Sequence, residues 1–302
     1  MELGTSSRAR PFEWQTIALL CACYAVWLIS TYLFGSTWAA LPFAVISVTF
    51  HSSLQHEALH GHPTRKAWIN EAMVWLPVGI FVPYRRFKTL HIKHHNNELL
   101  TDPYDDPESF YRDWRDWERL PWVLRRLLEI NNTLVGRLVI GPAISVVGFI
   151  GSDLRLMLGG DRKVLIAWAH HAAGLLLVAI WVWGVCGINP VVYVLAVAYP
   201  GMSLLMIRTF AEHQAQERVG SRSVIVEDRG FFALLFLNNN LHLVHHDQPG
   251  TPWYHLPAIY RARKAHWHAE NGGYVFRGYG ELFRRYAFRS KEPVPHPFLR
   301  RG

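Results

Sequence analysis

Long uncharged stretches separated by blocks of charge restrict this chain most. Gln15–Phe34 contains no Asp, Glu, Lys or Arg over the roughly 20 residues that a helix needs to cross a bilayer core. Trp38–Leu54, Val164–Val185 and Pro190–Ile207 are likewise uncharged. In hydrocarbon every backbone N–H and C=O needs an internal partner, so such runs become helices. The chain is therefore predicted as an all-α integral membrane protein. Four transmembrane helices, at about 15–34, 38–54, 164–185 and 190–207, form two hairpins, with interfacial and re-entrant helices and a His-rich cap on one side. The mean hydropathy of +0.06 hides this pattern, because charge is packed between the runs.

Between the runs the sequence is more broken. A signal peptide is a poor reading of the first run, which is too long and is followed at once by a second. Ala72–Pro83 is apolar but too short to span and contains Pro77 and Gly79, so it is predicted as a re-entrant or interfacial segment. Tyr111–Leu128 alternates Trp, Arg and Leu and reads as a helix lying in the interface plane. Leu134–Ile150 contains Arg137 and is interrupted by Gly141-Pro142, which predicts a half-embedded segment. Arg289–Gly302, basic and proline-containing, reads as a poorly ordered tail. No linker divides residues 1–302, so one domain is expected. The three cysteines, Cys21, Cys23 and Cys186, have no metal-ligand spacing. The net charge of +8 suits nucleic acid or an anionic membrane surface, and the uncharged runs decide for the membrane, without nucleic acid.

Orientation follows from charge. The connections Gly35–Thr37 and Gly184–Asn189 lack Lys and Arg, whereas Met1–Trp14 (with Arg8 and Arg10), the middle segment and the C-terminal segment carry all of them. The positive-inside rule then puts both termini and the middle segment in the cytoplasm, as in an inner membrane protein. If Leu134–Ile150 spanned, parity would send the last histidines to the other side.

Histidine is the chemically telling residue. His91, His94 and His95 stand at i, i+3 and i+4, one helix face, and His242, His245 and His246 repeat the spacing. His56 and His60 form an i, i+4 pair. With 17 histidines in 302 residues, chance yields on the order of 0.05 copies of H-x-x-H-H. Imidazole suits Fe, Zn, Cu and Ni, and eight of them exceed the needs of one four-coordinate zinc. Two metals with open positions fit. The carboxylate di-iron bundle needs repeated Glu-x-x-His, absent here, which leaves a nitrogen-rich di-iron site. The bland alternative, histidines satisfying helix ends at a membrane surface, does not account for three clusters at ligand spacing.

Three boxes, H-x-x-x-H, H-x-x-H-H and H-x-x-H-H, around two pairs of spans resemble the membrane fatty acid desaturase superfamily, which also holds hydroxylases and ketolases. The stretch Asn238-Asn239-Asn240-Leu241-His242-Leu243-Val244-His245-His246-Asp247 looks especially like bacterial members. The resemblance implies two non-haem Fe ions, O2 as co-substrate and a fatty acyl or lipid chain as substrate. Desaturation is the leading reaction, and a hydroxylase or ketolase-type monooxygenase on an alkyl or isoprenoid chain is the alternative. It also implies a further histidine after the last span, carried here by His213. Neither an iron–sulfur cysteine cluster nor a dinucleotide fingerprint is present, so an external electron donor, a ferredoxin, rubredoxin or similar protein, is expected.

Ligating imidazoles usually give their second N–H to a carboxylate or carbonyl. Glu57, Asp102, Asp105, Asp106, Glu212 and Asp247 stand near enough to serve, and Asn238, at i−4 from His242, either faces the site or ends a helix. His51, His62, His170 and His171 are read as structural.

Overall fold

The computed structural model describes residues 12–96 and 99–299. Arg8 and Arg10, and the last residues of the expected tail, 300–302, lie outside them. The protein is mostly helical, 66%, and the only strands among the described residues are β1 (Ile225–Val226) and β2 (Val275–Phe276), a parallel pair with Ile225 opposite Val275.

Helix α1 (Trp14–Phe34) turns through Gly35–Thr37 and a short 3₁₀ turn into α2 (Leu41–Leu59). The two pack along their length, and the Cys23 thiol donates to the Ser47 carbonyl. On the far side, α8 (Arg162–Ala179) runs into a π-turn (Ile180–Val185), and α9 (Pro190–Tyr193) continues through a second π-turn (Val194–Ala198) into α10 (Tyr199–Glu212). The fourth predicted run thus stays helical beyond Ile207, as far as Glu212. The two uncharged connections meet: a Cβ on Gly35 would stand 2.6 Å from the Cys186 carbonyl oxygen. Ile29, Leu176 and Leu195 are 60%, 61% and 64% exposed, an apolar surface that suits lipid and would be an aggregation liability in water.

The segment after α3 (Ala67–Val74) is not helical up to Pro83. Its carbonyls are satisfied inside the protein: Tyr193 Oη donates to Val78 O at 2.7 Å and His171 Nε2 to Ile80 O at 2.9 Å. Trp27 Nε1 donates to Tyr193 Oη at 2.8 Å, so α1, α9 and this segment share one buried polar junction. Irregular backbone at membrane depth is tolerated where protein surrounds it.

Three expectations need correction. Tyr111–Leu128 is two helices, α5 (Trp114–Arg119) and α6 (Trp122–Asn131), because Pro121 starts the second and directs Leu120 into extended backbone. Leu134–Ile150 is not interrupted at Gly141-Pro142. It belongs to α7 (Leu134–Leu158), a helix that contains Pro142. The missing side chain of Gly141 lets Met206 and Arg137 pack where a Cβ would sit, at 2.7 and 2.8 Å. Among the described residues, four helices are long and apolar enough to cross a membrane: α1, α7, α8 with its π-turn, and α9–α10. Helix α2 falls outside that set because its second half is rich in Ser, Thr and His. Finally, Arg289–Leu299 is a packed strap, not a loose tail. His296 N donates to Arg112 O, and the His296 side chain is fully buried.

The anchors of α7 lie on the histidine side at both ends. Arg137 stands over the Phe110 and Phe210 rings at 5.1 and 5.8 Å, and Asp153 pairs with Arg86 at 2.8 Å. Phe210 is three residues before His213, and Arg86 is five before His91.

Candidate metal centre

Three short helical pieces and one helix end carry the histidines. Helix α2 presents His56 and His60 in its last turn and cap. Helix α4 (Tyr84–His95) presents His91, His94 and His95. Helix α10 releases its backbone at His213, whose φ/ψ of −131/148 is extended. Helix α12 (His242–Asp247) carries His242, His245 and His246. It is entered through two consecutive left-handed residues, Leu237 (φ 49) and Asn238 (φ 56), the first of them costly for a residue other than Gly or Asn.

All nine imidazoles converge. His56, His60, His91, His95 and His245 form one group, and His94, His213, His242 and His246 form a second. Within each group the candidate ligand atoms lie within 4.8 Å of one another. In the second group, His94 Nε2 and His242 Nε2 are each 3.0 Å from His213 Nε2, and His246 Nε2 is 3.1 Å from His242 Nε2. In the first, His91 Nε2 is 3.2 Å from His60 Nε2 and His245 Nε2 is 3.1 Å from His95 Nε2. Nitrogens about 2.1 Å from one ion and at right angles stand about 3.0 Å apart.

The outer nitrogens are engaged elsewhere. His91 Nδ1 donates to Glu108 and His94 Nδ1 to Asp106, both at 2.7 Å. His242 Nδ1 donates to Asn239 Oδ1 at 3.0 Å, and the Ser223 hydroxyl lies 3.3 Å from His213 Nδ1. With the proton on Nδ1, the Nε2 lone pairs of His94 and His242 both point at His213. A metal ion placed among these nitrogens would take their lone pairs together. The donor set, all imidazole nitrogen, fits iron.

Electrostatics agree. Burial and the neighbouring imidazoles depress His242, His245 and His246 well below the usual histidine range and push His95 down to about 3, favouring the neutral, ligating form. His94 is the exception: burial pulls it down, but Glu108 and Asp106 outweigh that and raise it to about 9. Burial opposes ionisation of Glu108, yet His91 and His94 hold its carboxyl well below the usual carboxylate range.

Of the expected supporting groups, Asp106 bonds a box imidazole directly, accepting from His94 Nδ1. Asp102 instead folds the acidic loop, accepting from the backbone N–H of Tyr104 and Asp105. Glu57 accepts from Trp253 N, and Asp247 is exposed. Glu212 pairs with Arg208 at 2.7 Å and lies 3.7 Å from His242 Nδ1. Asn238 turns away and donates to Trp253 O. Its neighbour Asn239 is the residue at the site. Glu108, Asn239 and Ser223 escaped the sequence reading, and no spacing rule marks them. His51 bonds Tyr24 Oη at 3.0 Å and His62 bonds Glu13 at 2.7 Å, apart from either group.

A helical scaffold with lipid-facing helices and a paired polyhistidine centre defines a membrane metalloprotein. The chain matches the fatty acid desaturase family over residues 36–278, and it belongs to that family. It is accordingly an O2-dependent oxidoreductase of lipid chains, seated in a membrane, from a family that uses iron. No curated protein matches the chain.

Proposed function

We propose that the protein is a di-iron desaturase that introduces a double bond into a fatty acyl or lipid chain. The observation that carries the reading is the convergence of nine imidazoles into two adjoining groups of five and four. His56, His60, His91, His95 and His245 would hold one iron, and His94, His213, His242 and His246 the other. When bound, the pair of irons supplies the chemistry of O2 reduction and hydrogen removal from an unactivated C–H bond. Asp106, Glu108 and Asn239 fix the tautomers and aim the Nε2 atoms. Glu57, Glu212, Asp102, Asp247 and Asn238 act on loops and neighbouring helices. Two hydrogens leave adjacent carbons, two external electrons and two protons enter, and O2 becomes two waters. A separate ferredoxin, rubredoxin or similar donor provides the electrons.

The topology supports this. His94 and His213 are 3.0 Å apart, so α10 must end on the side where α2 ends. Crossings by α1, α2, α8 and α9–α10 satisfy that parity, and a fifth crossing by α7 breaks it. Helix α7 therefore lies along the membrane surface. The Gly35 and Cys186 turns, without cations, face outward, and the site and both termini face the cytoplasm of an inner membrane.

A cavity of about 90 Å³ between α2, residues 77–82 and α10 reaches Gln55, next to His56. It holds about three waters, so an acyl chain enters only as Phe81, Met202 and Leu205 move aside, and Met is suited to this. The hydroxylase alternative uses the same centre, since small shifts of the chain decide which hydrogen is removed.

The test is expression of the full chain with a competent donor, followed by lipid and metal analysis. New alkenes and near two irons per chain, both lost in His94→Ala, are expected. New alcohols in place of alkenes would select the hydroxylase, and activity unchanged in His94→Ala with no iron bound would end the di-iron reading.

A further inference from the structure

Another opening lies behind the last histidine box. It has a volume of about 610 Å³, and Arg229, Arg261, Lys264 and Arg277 line it together with Glu227 and Asp228. Asn238, four residues before His242, and Leu241, directly before it, form part of its wall. The four cations come from separate pieces of backbone: the turn after β1, helices α13 (Leu256–Ala262) and α14 (Lys264–Glu270), and the end of β2. Both carboxylates are already engaged. Glu227 pairs with Lys264 and accepts from Tyr260 Oη at 2.5 Å, and Asp228 accepts from Gly230 N at 2.6 Å. Among the described residues, no carboxylate lies within ion-pair distance of the Arg229, Arg261 or Arg277 guanidinium. Three guanidinium groups around one concavity suit the oxygens of a phosphate, the group Arg binds in bidentate fashion.

What sets the pocket apart from an ordinary basic surface is its neighbour. After Arg229 and Gly230 the chain enters α11 (Phe231–Leu235). Phe231 and Leu234 are 54% and 51% exposed, whereas Ala233 and Leu235 are buried. The Leu235 carbonyl receives the Ser53 hydroxyl of α2 at 2.8 Å, one turn before His56. With Trp38–Leu54 read as a span, helix α11 sits beside the end of that span, with Phe231 and Leu234 turned outward. A cationic pocket beside an outward apolar turn there matches a molecule with a phosphate head and hydrocarbon tails.

We propose that this pocket binds the phosphate headgroup of an anionic membrane phospholipid, with Arg229, Arg261 and Arg277 holding the phosphate and Phe231 and Leu234 against its acyl chains. The site is separate from the histidine centre, and its occupancy is read without turnover. Failure here therefore leaves the oxidative reading intact, and loss of the oxidative reading leaves this one intact.

The experiment uses the full chain in phosphatidylcholine nanodiscs containing a fluorescent phosphatidylglycerol, with unlabelled lipid and inorganic phosphate as competitors. Each cation near an anionic lipid contributes about fivefold in affinity. Arg229→Gln, Arg261→Gln and Arg277→Gln combined should therefore weaken phosphatidylglycerol binding by about tenfold or more. A control with the same charge loss on the interfacial helices, Arg115→Gln, Arg119→Gln and Arg126→Gln, lowers only the surface potential and should weaken binding several-fold less than the pocket variant does. Unlabelled phosphatidylglycerol should displace the probe, and inorganic phosphate should not. Equal losses in the two variants would reduce the effect to surface potential and overturn the proposal. So would wild-type binding in the pocket variant, or displacement by inorganic phosphate as effective as by lipid. Iron content and unfolding temperature equal to wild type establish that the pocket variant is folded.

Discussion

The Lys291 ammonium donates to the main-chain carbonyl of His213, and also to that of Phe210 at 2.8 Å. These are carbonyls at the end of α10, which have no N–H one turn ahead, and a cation there also complements the helix dipole. The strap thereby fixes the point at which the backbone leaves the helix and His213 turns into the four-histidine group. Lys291→Met keeps the stem and removes the donors. Leaving buried carbonyls unpaired costs about 1–3 kcal/mol, so the unfolding temperature should fall. Iron per chain should fall too, with the loss confined to the four-histidine group. Metal analysis alongside thermal unfolding checks this. A lowered melting point with full iron would show that Lys291 stabilises the chain without positioning His213.

Asp106 offers a second test of positioning. One oxygen takes the His94 Nδ1–H at 2.7 Å and the Glu108 N–H at 2.9 Å, while the other takes the Thr101 N–H at 2.8 Å. The carboxylate joins the acidic loop to an imidazole of the second group. Asp106→Ala should weaken ferrous binding by about 10- to 100-fold, and Asp106→Asn, which keeps an acceptor oxygen, by less. Titration of the metal-free protein with ferrous ion measures both. Affinities within about threefold of wild type would remove Asp106 from the supporting role.

The runs and the histidine spacings were legible in the sequence because both are local patterns: length and period suffice to recognise them. The supporting groups were not, because they depend on how loops fold in three dimensions. Asp102, Asp105, Asp106 and Glu108 look alike in a row. Only the turn built by Asp102, which bonds the Tyr104 and Asp105 N–H groups, determines that Asp106 and Glu108 face the imidazoles. Asn238 and Asn239 are separated in the same way by left-handed backbone at Leu237 and Asn238. The strap has the composition of a loose tail, yet Lys291 and His296 find partners at Phe210 and Thr101, contacts that no window of sequence contains. Helix α7 reverses the case: Pro142 removes one backbone donor, yet the helix continues from Leu134 to Leu158, with Gly141 packed close to Met206 of α10.

Arg86 and Asp153 join α4 to α7 through two bonds, at 2.9 and 2.8 Å, and Trp168 Nε1 also donates to Asp153 at 2.8 Å. Asp153 is only 1% exposed. Arg86→Met leaves that carboxylate buried without its cation and should cost about 3–5 kcal/mol. Arg86→Met with Asp153→Leu removes both charges and should recover much of the loss. Thermal unfolding of the single and double variants in one detergent decides it. A double variant no better than the single would mean that the pair acts through shape and not charge.

Gly201 lets α10 pack tightly against α2, the two helices that lead to the histidines. A Cβ there would stand 2.6 Å from Val48 Cγ1, 2.9 Å from Val48 Cβ and 3.3 Å from the Val45 carbonyl oxygen. Val48 is β-branched and has essentially one rotamer in a helix, so it cannot swing clear, and α2 and α10 must separate. That movement also breaks the bond from Thr49 Oγ1 to the Gly201 carbonyl, 2.8 Å long. Gly201→Ala should therefore cost about 1–3 kcal/mol and lower iron content in both groups, because α2 carries His56 and His60 and α10 leads to His213. Gly151 is the contrasting position. A Cβ there meets nothing within 4 Å, so Gly151→Ala in α7 should gain about 0.5–1 kcal/mol from reduced backbone entropy. Unfolding temperatures that shift in opposite directions would support the packing argument, and a shift of the same sign and size in both would refute it.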